Sequence, residues 1–163
     1  MNEKIIFCGD LVIPFETDVN FEEVKELFRG VCGIANLEGA ILPERELLKK
    51  NRWNDKFSLY NCQNVIDIIE KLNIKYASLC NNHILDYDFP VSFTSDLLSK
   101  SGVMSFGLNN HDVLEVEFNA RTMYIITFAS FASEHSFKLF NPNKVIRATK
   151  ELRQNFKDAY IVI

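Results

Sequence analysis

The stretch "KYASLCNNHILDY", residues 75–87, decides how the chain is read. Its first part, "YASLC" (76–80), has the apolar character of a short buried strand. Its second part releases two amides, an imidazole and a carboxylate: Asn81, Asn82, His83 and Asp86. A turn asks for one Asn, not for this set. Taken alone, the two amides read equally well as turn residues or as part of a site.

Upstream, the same pattern occurs twice more. "KIIFC" (4–8) reads as a short buried strand and runs into Gly9-Asp10. "VCGIA" (31–35) reads as a second and runs into Asn36-Leu37-Glu38. Singly, Gly9-Asp10 is an ordinary turn, Asn36-Leu37-Glu38 a strand end with an exposed Glu, and His83 a hydrogen-bonded loop residue. Their recurrence at equivalent strand ends favours a site. In an open α/β sheet, ligands bind beyond the carboxyl ends of the strands. If the three strands lie parallel and adjacent, these groups converge on one crevice.

The other segments supply the scaffold. Asn20 and Glu23 form a capping-box pair at the head of a helix that Gly30 stops. Residues 39–58 are polar and broken, a long loop with one short helix around Arg45–Lys50, and loops of this length are often functional. Residues 61–73 have helical spacing, with Val65, Ile66, Ile69 and Leu72 inward. Residues 92–102 form a third helix between Pro90 and Gly102, and 103–107 a short strand. Residues 112–130 alternate around a polar turn at Asn119–Arg121, which reads as an antiparallel hairpin. Asn141-Pro142 starts a helix that runs to about Lys157, and "AYIVI" (159–163) is a last strand. Strand–helix alternation followed by a hairpin indicates an α/β fold with a mixed sheet, in a single domain over 1–163.

Charge and composition exclude several classes. A net charge of −4 does not provide the basic face of a nucleic-acid binder. No apolar run approaches the ~20 residues that span a bilayer. The start "MNEKIIFC" lacks the form of a signal peptide, so the sequence predicts a cytoplasmic chain. Cys8, Cys32, Cys62 and Cys80 form no Cys-x-x-Cys pair and read as small buried thiols. His111 and His135 lie in polar loops and read as solvated. "KNRW" (50–53) with Lys56 is either a solvated loop or a contact for an anionic substrate. A nucleotide-binding domain is disfavoured, because no Gly-x-Gly-x-x-Gly follows the first strand.

The crevice residues are hard donors. Carboxylate oxygen, amide oxygen and imidazole suit Mn, Fe, Zn or Mg. Two such ions can clamp a phosphoryl group and acidify a bound water. A nearby His can protonate the leaving oxygen while a carboxylate orients that His, and Asp86 is placed for this role three residues beyond His83.

"FCGDLVI", "IANLEGAI", "KYASLCNNHILDY" and "SDLLSKSGVMSFG" together resemble the bacterial CapA family of capsule and poly-γ-glutamate synthesis proteins. That family is related to calcineurin-like metallophosphoesterases. The resemblance implies a mixed-sheet sandwich flanked by helices and a divalent-metal site for one or two ions. Asp10, Glu38 and Asn82 match the metal-site positions, and His83 the imidazole beside the reacting phosphate, supported by Asp86. Asn36 and Asn81 would contact substrate, an anionic phosphoester or polyglutamate-like polymer. Family members are often found at the cell envelope.

The match has departures. The family's Arg after Gly-Asp is replaced here by Leu11-Val12-Ile13-Pro14-Phe15, and Val31-Cys32 stand where an acidic residue often opens the second strand. The family continues past the strand matched by "AYIVI" into His-rich blocks. The resemblance therefore predicts a truncated chain with a half-built metal site, one that pairs with itself or with a missing C-terminal half. It leaves two functions open: a metal-dependent phosphoesterase-like enzyme, or a non-catalytic binding component.

Overall fold

The computed structural model describes residues 4–15, 22–47, 58–108, 113–129 and 142–163. The first half of the chain forms β1 (Ile5–Leu11), α1 (Glu22–Leu27), β2 (Cys32–Leu37), β3 (Ala40–Ile41), α2 (Glu44–Leu47), β4 (Tyr60–Asn61), α3 (Val65–Lys71) and β5 (Ile74–Ser78). The second half forms α4 (Val91–Lys100), β6 (Met104–Phe106), β7 (Val113–Phe118), β8 (Arg121–Ile126), α5 (Pro142–Asn155) and β9 (Tyr160–Val162).

The strands that end in polar residues are adjacent and parallel. They lie in a four-stranded sheet of order β1-β2-β5-β6. Asp10 is in register with Asn36, and Asn36 with Ser78, so the three carboxyl ends open on one side. The molecule is thus α/β with a parallel sheet flanked by helices.

Side-chain alternation along β2 gives the sheet two different faces. Ala35 and Leu37 point into a core with Val65, Ile68 and Ile69 of α3 and Leu98 of α4. Burying each large aliphatic side chain contributes about 1.5–3 kcal/mol. Ile34 points the other way. With Phe106 of β6 it packs on Leu114, Val116, Met123 and Ile125 of β7 and β8.

Those last two strands belong to a separate three-stranded sheet of order β7-β8-β9. β7 and β8 are antiparallel, and α5 carries the chain over to β9, which runs parallel to β8. The predicted hairpin turns through Asn119 and Ala120, both with positive φ (51° and 58°). That backbone is the twist-compatible way to join two strands with two residues. The mixed pairing predicted for one sheet is therefore confined to this second one.

Two predicted elements differ. The long polar loop contains β3, which pairs in parallel with β4 across the chain. The helix expected over 61–73 starts only at Val65, because Asn61 belongs to β4 and is fully buried with its side chain on neighbouring backbone. The predicted stop at Gly102 holds: its φ is +71°, and Val103 N–H donates to Leu98 O, which closes α4 with a Schellman pattern. Cys62 is buried and Cys8, Cys32 and Cys80 are half-buried, all four as thiols. Asn20, the basic stretch 50–53 with Lys56, His111, His135 and Asn141 lie outside the described residues.

Candidate functional site

The carboxyl ends of β1, β2 and β5 bring Asp10, Asn36, Glu38, Asn81, His83 and Asp86 into one hydrogen-bonded cluster. Asn36 Nδ2 donates to Asp10 Oδ1 at 2.7 Å and also to Glu38 Oε2. The β1/β2 register makes the first contact possible, since Asp10 and Asn36 are paired residues. Glu38 is 7% exposed. Burial pushes its carboxyl pKa up; the Asn36 hydrogen bond and His83 oppose the rise, and the Asp10 and Asp86 carboxylates add to it.

His83 lies on the turn after β5. Its Nδ1 is 2.6 Å from Asp86 Oδ2. An ionised carboxylate only accepts, so this contact places the ring proton on Nδ1. Nε2 is left facing the crevice, 4.0 Å from Glu38 Oε1. Asp86 Oδ2 also accepts from the Leu59 N–H at 2.8 Å, which joins the His83 turn to the segment before β4. Tyr87 reinforces the joint by packing edge-on against Tyr60, with ring centroids 5.7 Å apart.

Two buried asparagines hold the turn that presents Glu38. Asn81 is 5% exposed. Its Nδ2 donates to Leu37 O at 2.8 Å, and its Oδ1 accepts from Gly39 N–H and His83 N–H. Asn61 Nδ2 donates to Glu38 O and Gly39 O, and its Oδ1 accepts from Ile13 N–H at 2.7 Å. Gly39 itself has φ +82°, and a Cβ there would stand 2.6 Å from Leu59 O. Gly39→Ala is therefore expected to cost about 2–3 kcal/mol, from left-handed backbone strain and the displaced backbone at Leu59. Urea unfolding measures it, and an unchanged midpoint would contradict the close approach.

The sequence-predicted residues thus divide. Asp10, Asn36, Glu38, His83 and Asp86 meet, whereas Asn82 is exposed and no hydrogen bond joins its side chain to the cluster among the described residues. Asn81 reaches the cluster with its amide fully occupied inside the fold. Asn61 was not singled out from the sequence, although a lone amide in the apolar context "SLYNC" was a usable signal.

In donor chemistry the carboxyl oxygens of Asp10 and Glu38 suit a hard divalent ion, with the Nε2 of His83 beside them. As it stands, the Asn36 NH₂ occupies the position between the two carboxyls, and among the described residues no three His, Cys, Asp or Glu side chains are grouped to ligate an ion. The cluster is carboxyl-rich with a single imidazole. A cation is therefore the species its charge attracts, and a free anion the one it repels.

A sheet of this topology with this cluster at its carboxyl edge defines an α/β protein with a carboxylate–imidazole crevice. The sequence matches the bacterial capsule synthesis protein family PGA_cap over residues 4–160, and the chain belongs to that family. No curated protein matches it. Among the described residues no helix is long and apolar enough to cross a membrane.

Proposed function

We propose that the chain serves capsule or poly-γ-glutamate synthesis as a metallophosphoesterase-like hydrolase, built on a calcineurin-like sandwich and acting on an anionic phosphoester or phosphorylated polymer end. One observation carries this reading. An imidazole tied by Nδ1 to a carboxylate presents its Nε2 to a crevice lined with further carboxyls, at the carboxyl ends of three adjacent parallel strands.

In this reading Asp10, Glu38 and Asn82 hold one or two hard divalent ions. A bound ion supplies polarisation of the phosphoryl oxygens and an acidified water. His83 Nε2, when protonated, gives its proton to the leaving oxygen. Asp86 keeps the ring oriented and stabilises the imidazolium, and its second bond to Leu59 N–H fixes the carboxylate itself. Asn36 holds the Asp10 and Glu38 carboxyls in register.

The direct test is hydrolysis of p-nitrophenyl phosphate and its diester by the purified chain, with and without added Mn²⁺. Turnover is expected only with the metal. Asp10→Ala is expected to lower it at least about tenfold, since even indirect partners of a metal are worth about 10–100-fold. Equal turnover in chelator and in Mn²⁺ would rule the reading out. A second reading rests on the ungrouped ligand set: a non-catalytic component that uses the same crevice to bind an ion and, through it, an anionic polymer. It predicts Mn²⁺ binding with no turnover.

A further inference from the structure

We propose that Asn81 is a positioning residue that sets the polarity of the site: it fixes which end of the Asn36 amide faces Asp10 and Glu38. The inference deepens the reading of the crevice as a cation site and uses only the chain's own groups.

The orientation follows from backbone chemistry. Leu37 O can only accept, so the atom of Asn81 beside it, 2.8 Å away, must be the NH₂ nitrogen. Gly39 N–H and His83 N–H can only donate, so the atom beside them must be Oδ1. Three backbone groups therefore leave Asn81 one orientation. Its remaining N–H points to Asn36, 3.2 Å away, and requires the oxygen end of that amide. Asn36 must then turn its NH₂ outward, onto Asp10 Oδ1 and Glu38 Oε2. Every donor and acceptor of the buried Asn81 side chain is used, so it has nothing left for a substrate.

The consequence is that two N–H bonds, rather than an oxygen, meet the carboxyl pair. They hold both groups in place by donating to them, and they do not ligate a cation. Reversing Asn36 replaces those donors with a third oxygen. Asn81→Asp is the change that drives the reversal. It retains an acceptor for Gly39 N–H and His83 N–H, but sets an oxygen against both Asn36 Oδ1 and Leu37 O. Rotating the Asn36 amide relieves the clash on its own side and presents its oxygen to Asp10 and Glu38, while the clash with Leu37 O stays as a cost in stability.

The experiment is a Mn²⁺ titration followed by electron paramagnetic resonance, with the metal alone and no substrate. Asn81→Asp is expected to bind Mn²⁺ about tenfold more tightly than the native chain, at the lower end of what indirect partners of a metal contribute. The double variant Asn81→Asp/Asn36→Ala separates orientation from added charge and is expected to lose the gain. No gain in the single variant, or a gain that survives in the double one, overturns the proposal. If Asn81→Asp does not fold, the native chain decides. Its Asn36 side-chain amide protons, identified by their loss in Asn36→Ala, are expected to exchange slowly with water, and exchange at the rate of a free amide overturns the proposal. None of these readouts uses turnover, so a failure of the hydrolase reading would be seen separately.

Discussion

His83→Ala is expected to lower metal-dependent phosphoester turnover by about 10²–10⁴-fold, the range that a positioned general acid supplies. The imidazole is half-buried and its Nδ1 is committed to Asp86, so Nε2 is the one nitrogen open to the crevice. Ala removes that nitrogen and leaves the backbone bond from residue 83 N–H to Asn81 Oδ1, so the fold should survive. Asp86→Asn gives the more discriminating result. The Asn oxygen can still accept from Leu59 N–H, and the segment stays docked. It cannot also serve His83 as an anion does, so the imidazolium loses its stabilising charge. Turnover should fall. The measurement is kcat/KM for the native chain and both variants. Full activity in His83→Ala would remove His83 from the chemistry, and full activity in Asp86→Asn would remove Asp86 from its support.

The crevice was legible because strand ends are a local signal. An apolar run that stops at Asp, at Asn-Leu-Glu and at Asn-Asn-His can be seen without any partner strand. Parallel adjacency then follows from strand–helix alternation. Long-range pairing is not local, and it accounts for what was missed. β3 and β4 are two residues each, too short to show a period, and they find each other across 20 positions of sequence. From the sequence Asn61 reads as part of a helix, because the apolar spacing of Val65, Ile66, Ile69 and Leu72 does not mark where that helix starts. Only the fold shows that its amide is spent on Ile13, Glu38 and Gly39. Asn81 could be singled out from the sequence, but not the partners of its amide. Whether an amide contacts a substrate or the backbone depends on which carbonyls stand beside it, and Leu37 O is supplied by a strand more than 40 residues away. Asn82, which the resemblance matches to a metal-site position, is exposed where the others are held.

Asn61→Ala is expected to be the most destabilising single change near the site, at about 3–5 kcal/mol. The side chain is 0% exposed and makes three bonds to backbone groups of two other segments. Removing it strands the Ile13 N–H and takes a donor from both Glu38 O and Gly39 O. A buried group left without its partner costs about 1–3 kcal/mol. A domain of this size has only about 5–15 kcal/mol in hand, so the loss takes a large share of it. The loss should reach the site as well, because Asn61 fixes the carbonyl of Glu38 and ties it to the chain after β1. Urea unfolding measures the first effect, and Mn²⁺ affinity measures the second. Asn36→Ala is the matching control. It removes an amide that is only half-buried and bonds to side chains, so it should cost less than about 1 kcal/mol while altering the same carboxyls. If Asn61→Ala cost as little as that control, water would have to be replacing all three bonds, and the Glu38 turn would not depend on β4 for its shape.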